Sequence, residues 1–217
     1  MEKYLIGKNG LEVGGPSPMF NDYYPLMASI DGVNFSETTI WGNYGKGFIA
    51  GGKVMGKQYI LEATDLSFIH KTYDFVLSSN NIEHIANPMQ AIQQWVSVLN
   101  PEGIIIIVAP RKESNFDHNR EITPFSHLVS DYVNKVDESD LTHLDEILRL
   151  HDLPLDPPAG THEQFKARSL KNIENRCLHH HVFNTHTLTE MLEYFGLTVV
   201  ESSFTHSDYI IIGQKSL

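Results

Sequence analysis

Residues 73–110 read YDFVLSSNNIEHIANPMQAIQQWVSVLNPEGIIIIVAP. Phe75-Val76-Leu77 is a short apolar run that stops at Ser78-Ser79-Asn80, the pattern of a buried strand ending at a polar edge. Asn87-Pro88 signals a helix start, with asparagine as the cap and proline just inside it. Met89, Ile92, Trp95, Val96 and Leu99 then fall on one face of a helix. Asn100-Pro101-Glu102-Gly103 breaks it. Ile104 to Val108 is an unbroken β-branched run, expected where a strand is covered on both faces and so belongs to a parallel sheet. The stretch is a strand–helix–strand unit, and the rest of the chain is read outward from it.

With 217 residues the chain can bury one sizeable core and carry a small added lobe. A formal charge of −11 argues against a dedicated nucleic-acid binder, which presents a basic face. The single cysteine, Cys177, permits no internal disulfide and no CxxC metal knuckle, so a reduced, cytoplasmic setting is expected. The N-terminus lacks the apolar run of a signal peptide, and no stretch approaches the roughly 20 apolar residues that cross a bilayer.

Taken in order and spacing, Tyr73-Asp74-Phe75-Val76-Leu77, Ile82-Glu83-His84, Asn87-Pro88, Val98-Leu99-Asn100-Pro101-Glu102-Gly103 and the strand closing at Pro110 resemble the second half of a class I S-adenosyl-L-methionine (SAM)-dependent methyltransferase of the type 11 sort. The resemblance implies an α/β, Rossmann-like doubly wound fold. Its sheet would be mostly parallel and seven-stranded, with an antiparallel last strand and a helical insertion after the fifth strand. Residues 1–110 and 182–217 would form the SAM-binding core, and 111–181 a mainly helical insertion roofing the active site.

Upstream, Gly10-Leu11-Glu12-Val13-Gly14-Gly15-Pro16-Ser17-Pro18 reads as a strand running into a glycine-bearing turn, where a nucleotide-type cofactor can approach the backbone. In the resembled family this is the cofactor loop, an acidic residue followed by Gly-x-Gly-x-Gly. Glu12 and Gly14 match, Gly15 is extra, and Pro16 and Pro18 stand where further glycines are usual. Proline has no N–H, so Gly14 to Ser17 offers fewer backbone donors than the usual loop. Residues 19–29 lack helical periodicity and are interrupted by Pro25. The acidic ribose ligand expected about 20 positions beyond the turn falls at Asn34, preferred over Asp31. Gly42 to Lys57 reads as a hairpin or loop. Glu62-Ala63-Thr64-Asp65 follows the outline of the family's adenine-binding phrase, and an acceptor such as Glu62 or Asp65 suits an amino group. The strand end at Ser79-Asn80, with His84 beyond it, completes the implied cofactor set.

The insertion carries a second concentration of chemistry in Phe116-Asp117-His118-Asn119-Arg120, followed by Thr123, His127 and Asp131. Methyl transfer from a sulfonium is an in-line displacement that needs a held nucleophile and often a base. His118 is the first candidate base and His127 the second. Asp117 supplies a carboxylate, and Arg120 could clamp an anionic group. His127 and Asp131, four apart, share a helical face. The histidines also invite a metal reading, but none of their spacings matches a signature such as HExxH. Of the triplet His179-His180-His181 only the outer two could converge in an extended segment, and no metal ligand is assigned.

Phe165 to Leu178 is expected to be helical with Phe165, Leu170, Ile173 and Cys177 inward. Thr185 caps a last helix whose face is Leu188, Met191, Leu192 and Phe195, and Gly196 stops it. Leu197–Glu201 and Tyr209–Gly213 close the sheet. The expected function is SAM-dependent methyl transfer to a small-molecule or glycan-like acceptor. The alternative is a non-catalytic methyltransferase-like binding module, and oligomeric state is left open.

Overall fold

The computed structural model describes residues 1–217. A four-residue helix α1 (Glu2–Leu5) precedes strand β1 (Asn9–Val13), and two 3-10 turns (Pro18–Phe20 and Tyr24–Leu26) stand where a longer helix is not expected. Strand β2 (Ser29–Asn34), a hairpin of β3 (Phe48–Ala50) and β4 (Lys53–Gly56), and β5 (Gln58–Ile60) follow. Then come β6 (Tyr73–Ser79), helix α2 (Pro88–Ser97) and β7 (Leu99–Pro110). The insertion holds α3 (Phe125–Asn134), α4 (Leu144–Leu150), α5 (His162–Ser169) and α6 (Asn172–Asn175). Helix α7 (Thr185–Tyr194), β8 (Leu197–Phe204) and β9 (Asp208–Lys215) end the chain.

The seven-stranded sheet has the order β5-β2-β1-β6-β7-β9-β8. The pairs from β5 to β7 are parallel, and β9 runs antiparallel to both β7 and β8. The order reverses at β1 and β6, whose carboxyl ends therefore open a crevice.

Strand β7 shows why the isoleucine run is needed. Ile105, Ile107 and Ala109 enter one core of 25 buried residues with Val76, Met89, Ile92, Trp95, Leu188 and Leu192. Ile104, Ile106 and Val108 enter a second core of 13 on the opposite face, with Phe20, Tyr24, Phe48, Phe75 and Leu77. Alternate residues of one strand thus fill two cores, and no polar position is tolerated between them. Each such side chain contributes about 1.5–3 kcal/mol when fully buried. The larger core is covered by helices α2, α3 and α7. The smaller one is covered by α1, the aromatic 3-10 segment and the β3–β4 hairpin.

Asn87 caps α2 as expected, its side chain accepting from the Gln90 amide at 3.0 Å with Pro88 at the first helical position. The cap of α7 is Asn184, which accepts from Thr187 N at 2.8 Å, so Thr185 is the first helical residue instead. The helix expected over Phe165–Leu178 is broken in two. Leu170 and Ile173 point to solvent at 51% and 57% exposure, because Asn172 takes the inward position. Its Oδ1 accepts from Leu178 N at 3.0 Å and its Nδ2 meets His180 Nε2 at 3.0 Å, and Arg176 ends the segment in a left-handed conformation (φ 55°).

Candidate active site

A cleft of about 650 Å³ opens at the carboxyl ends of β1, β2 and β6. This size lies within the range of about 300–1,000 Å³ usual for ligand sites. Of the residues expected to meet a cofactor, Gly14, Pro16, Ser17, Asn34, Glu62, Ala63, Ser79, Asn80 and His84 line it.

Its floor is the turn after β1. Gly14 has φ +85°, and a Cβ placed there would stand 2.6 Å from the Asn81 side chain, so glycine is required on both counts. Gly14 N donates to Val33 O at 2.9 Å, and Ser17 N is turned inward onto Glu12 Oε1 at 3.0 Å and the Tyr24 hydroxyl at 2.8 Å. Pro16 and Pro18 have no N–H to offer. This floor therefore presents shape more than amide donors.

Glu12 does not line the cleft. It is fully buried beneath the turn, where Tyr24 donates to its Oε2 at 2.8 Å. Its carboxyl group stands 2.1 Å from where a Gly15 Cβ would be, which is why Gly15 also has no side chain. Burial pushes Glu12 up to about 7. Its place is structural support of the loop.

Asn34 lines the cleft and donates through Nδ2 to Gly15 O at 2.8 Å, leaving Oδ1 as an acceptor. Asp31 is excluded from the cleft by its own partners: Tyr73 Oη at 2.8 Å, Lys57 N at 2.8 Å and Lys71 Nζ at 2.5 Å. Phe35, Leu61, Glu62, Ala63 and Thr64 form one wall. Asp65 lies outside it, accepting from Ser67 N at 3.0 Å in a solvent-exposed turn.

Several lining residues carry no sequence signal. Trp41 and Tyr44 come from the loop after β2, and Glu138 and Arg176 from the insertion. Arg176 pairs with Glu62 at 2.8 Å and with Glu138 at 3.3 Å, and its guanidinium lies 4.9 Å from the Phe35 ring centre. Glu62, Glu138 and Asp208 against the one cation Arg176 leave the cleft acidic.

The insertion's polar cluster is elsewhere. His118 turns Nδ1 to Asn115 O at 3.1 Å and Nε2 to Asp152 at 3.5 Å, and it does not line the cleft. Arg120 is 1% exposed with all three nitrogens engaged: Nε on Glu146 at 3.0 Å, Nη1 on Asp117 at 3.0 Å and His179 O at 2.8 Å, Nη2 on His180 O at 3.1 Å. Four of its five N–H groups are engaged within the insertion, and its burial keeps it from a substrate anion. His127 pairs with Asp131 at 3.2 Å, as their spacing requires, but away from the cleft. Asp117 is also absent from the lining and instead meets His179 Nδ1 at 2.5 Å. Burial alone would raise Asp117, but His179 and Arg120 outweigh it and hold it at about 2. His179 and His181 do not converge: His179 meets Asp117, and His181 faces Ala86 O at 3.1 Å.

The Asp117–His179 pair leads back to the cleft through His84. The His84 and His179 rings meet edge to face at 4.6 Å, Trp41 lies against His84 at 5.3 Å, and Glu83, His84 and His179 each place one ligand-type atom within 4.8 Å of the others. Nδ1 of His84 faces Leu178 O at 3.2 Å; a carbonyl only accepts, so Nδ1 carries the proton and Nε2 the lone pair. Burial, with His179 beside it, pulls His84 well below its usual 6.5. Burial pushes Glu83 up to about 7, and its Oε2 has no hydrogen-bond partner.

The cleft fits SAM. It is open, its glycine turn would be blocked by a Cβ at Gly14, and its acidic lining suits a sulfonium. Gly14, Pro16, Ser17, Asn34, Phe35, Leu61–Ala63 and Ser79–Asn81 are the lining residues that would hold it, while Gly15 lies outside the lining.

Residues 52–202 match the family model described as a methyltransferase domain. No curated protein matches the chain. Solved structures do. A putative SAM-dependent methyltransferase from Listeria monocytogenes aligns over 100% of this chain and 96% of its own, at 14% identity and a TM-score of 0.56. The N-methyltransferase NodS from Bradyrhizobium japonicum WM9 aligns over 99% and 89%, at 11% identity and 0.54. Magnesium protoporphyrin IX methyltransferase (ChlM) from Synechocystis PCC 6803, with bound SAH, aligns over 99% and 77%, at 11% identity and 0.53. The family match over most of the chain, on a sheet of this order with a cleft of this make, identifies the protein as a member of the class I SAM-dependent methyltransferases.

Proposed function

We propose that the protein methylates a small-molecule acceptor presented at the cleft mouth between Trp41, Tyr44 and His84, with His84 as the general base. SAM supplies an electrophilic methyl group on a sulfonium. The observation that carries the reading is the setting of His84, whose Nδ1–H is fixed on Leu178 O while its imidazole stays neutral at the cleft wall. Nε2 is then free to take the proton of an acceptor hydroxyl or amine as that atom attacks the methyl carbon in line. Behind it, Asp117 favours an imidazolium on His84 while the nearer His179 opposes one, which keeps the ring neutral until it meets the acceptor's proton.

The aromatic mouth favours an acceptor with a flat or ring-shaped apolar face. Support for a small molecule also comes from the neighbours, since ChlM acts on magnesium protoporphyrin IX. The cleft has no basic stripe that would track a phosphate backbone, and no helix is long and apolar enough to cross a membrane. Residues 111–181 serve, in this reading, as a partial roof, contributing Glu138 and Arg176 to the cleft.

The test is transfer of labelled methyl from SAM to a panel of small hydroxyl- and amine-bearing acceptors, followed by His84→Gln on the acceptor found. The substitution should lower kcat by about 10²–10⁴-fold with SAM affinity nearly unchanged. An unchanged kcat removes His84 from catalysis. Labelling of protein or nucleic acid alone contradicts the acceptor class.

A further inference from the structure

Away from the cleft, the insertion assembles a second group of chemistry-bearing side chains that methyl transfer does not use. His127 and Asp131 lie one turn apart on α3, His143 precedes α4, and His181 comes from the segment returning to the core. One ring nitrogen of each histidine and one oxygen of Asp131 all lie within 4.8 Å of one another. His127 Nε2 is 2.9 Å from His143 Nε2 and 3.2 Å from Asp131 Oδ2. A tetrahedral ion with bonds of about 2.0–2.1 Å sets its ligand atoms roughly 3.3 Å apart. The side chains are already near that spacing.

The group is also incompletely satisfied by the protein. His181 is 1% exposed, its Nε2 lies 3.6 Å from Asp131 Oδ2 and 3.1 Å from the Ala86 carbonyl, and its Nδ1 has no hydrogen-bond partner. Whichever ring nitrogen holds the proton, one nitrogen of this buried ring has no partner in the protein. Glu146 stands between His143, at 3.9 Å, and Arg120, at 3.0 Å, and offsets the guanidinium charge. The His127 side chain is 37% exposed and gives an ion a way in.

We propose that His127, Asp131, His143 and His181 bind one divalent transition-metal ion of the zinc type, which pins α3 and the start of α4 to the segment entering α7. Three imidazoles and one carboxylate suit zinc, cobalt or nickel and are a poor match for magnesium or calcium, which take oxygen ligands. Four protein ligands leave no open position, so the site is structural. It does not depend on the acceptor or on the role given to His84.

The full chain, stripped with a chelator and dialysed, is titrated with zinc chloride by calorimetry and with cobalt chloride by visible absorption. One ion per chain is expected, with the intense visible bands of tetrahedral cobalt and a rise in Tm that the chelator reverses. His127→Ala and Asp131→Asn should each weaken zinc binding by more than the roughly 10–100-fold that loss of an outer partner costs. His84→Gln and His118→Ala should leave it unchanged. Absence of binding to the wild-type chain, retention of it in His127→Ala, or loss of it in His84→Gln overturns the assignment, the last because it moves the ion to the Glu83–His84–His179 group. Should the α3 variants fail to fold, the wild-type cobalt spectrum decides alone: weak octahedral bands overturn the proposal.

Discussion

Asn34 Nδ2 donates to the carbonyl oxygen of Gly15 at 2.8 Å, tying the end of β2 to the turn that floors the cleft. The usual carboxylate at this position could not make that bond, because it has no donor. Asn34→Asp should therefore loosen the turn and set two acceptors against each other, at a cost of about 1–3 kcal/mol. We expect SAM affinity to fall about 10-fold or more, although the change restores the family's acidic residue. Calorimetric titration of the variant checks this, and tighter binding would show that ribose contact dominates.

Two fully buried carboxyls, Glu12 and Glu83, are both pushed from 4.5 up to about 7 by burial. The folded state holds their protons between about pH 4.5 and 7 while the unfolded chain releases them, so stability falls as pH rises through that window. Above it the cost is constant, on the order of 3 kcal/mol for a shift of this size. Glu12→Gln should remove its share: Ser17 N keeps its acceptor, and the Tyr24 hydroxyl can accept from the amide while donating to Ser17 O, 3.1 Å away. Urea unfolding at pH 5 and pH 8 should show the variant gaining on wild type at pH 8 and little at pH 5. Equal differences at both would refute the assignment.

Arg120 joins four groups of the insertion while 1% exposed. Arg120→Ala would leave Asp117 with His179 alone and two carbonyls unpaired, which costs about 3–5 kcal/mol for a broken buried ion pair. For a chain of this size that lowers Tm on the order of 10 °C. Arg120→Lys should recover only part of it, since an ammonium cannot span the fork. His118→Ala should move Tm little and leave turnover intact. Differential scanning calorimetry of the three variants orders them.

What the residues announced and what they hid follow one physical division. The β6–α2–β7 unit was legible because Ile104 to Val108 fills two cores alternately and Asn87-Pro88 starts a helix by local chemistry. The glycine turn, Asn34 and Glu62 were legible because strand ends must meet at the crevice. Glu12 was misplaced into the crevice because one-dimensional spacing does not say which side of a turn a side chain takes. The insertion hid most. His118 and Arg120 looked poised for substrate, yet Arg120 satisfies carbonyls 59 and 60 residues away. Arg176 reaches Glu62 across 114 residues and has no local signature. Long-range pairings in a loop-rich segment leave no periodicity to read, which is also why His127, His143 and His181 gave no metal spacing.

Methyl transfer as proposed requires the cleft above Gly14 to be the SAM site. Titrating the wild-type chain and Gly14→Val with SAM by calorimetry tests this most directly, because a side chain at φ +85° with Asn81 2.6 Å from its Cβ must displace the floor. We predict saturable one-to-one binding by the wild type and at least about a 10-fold loss in the variant, more than one hydrogen bond's worth. Wild-type binding that survives Gly14→Val unchanged, or no heat from the wild type at all, would contradict it.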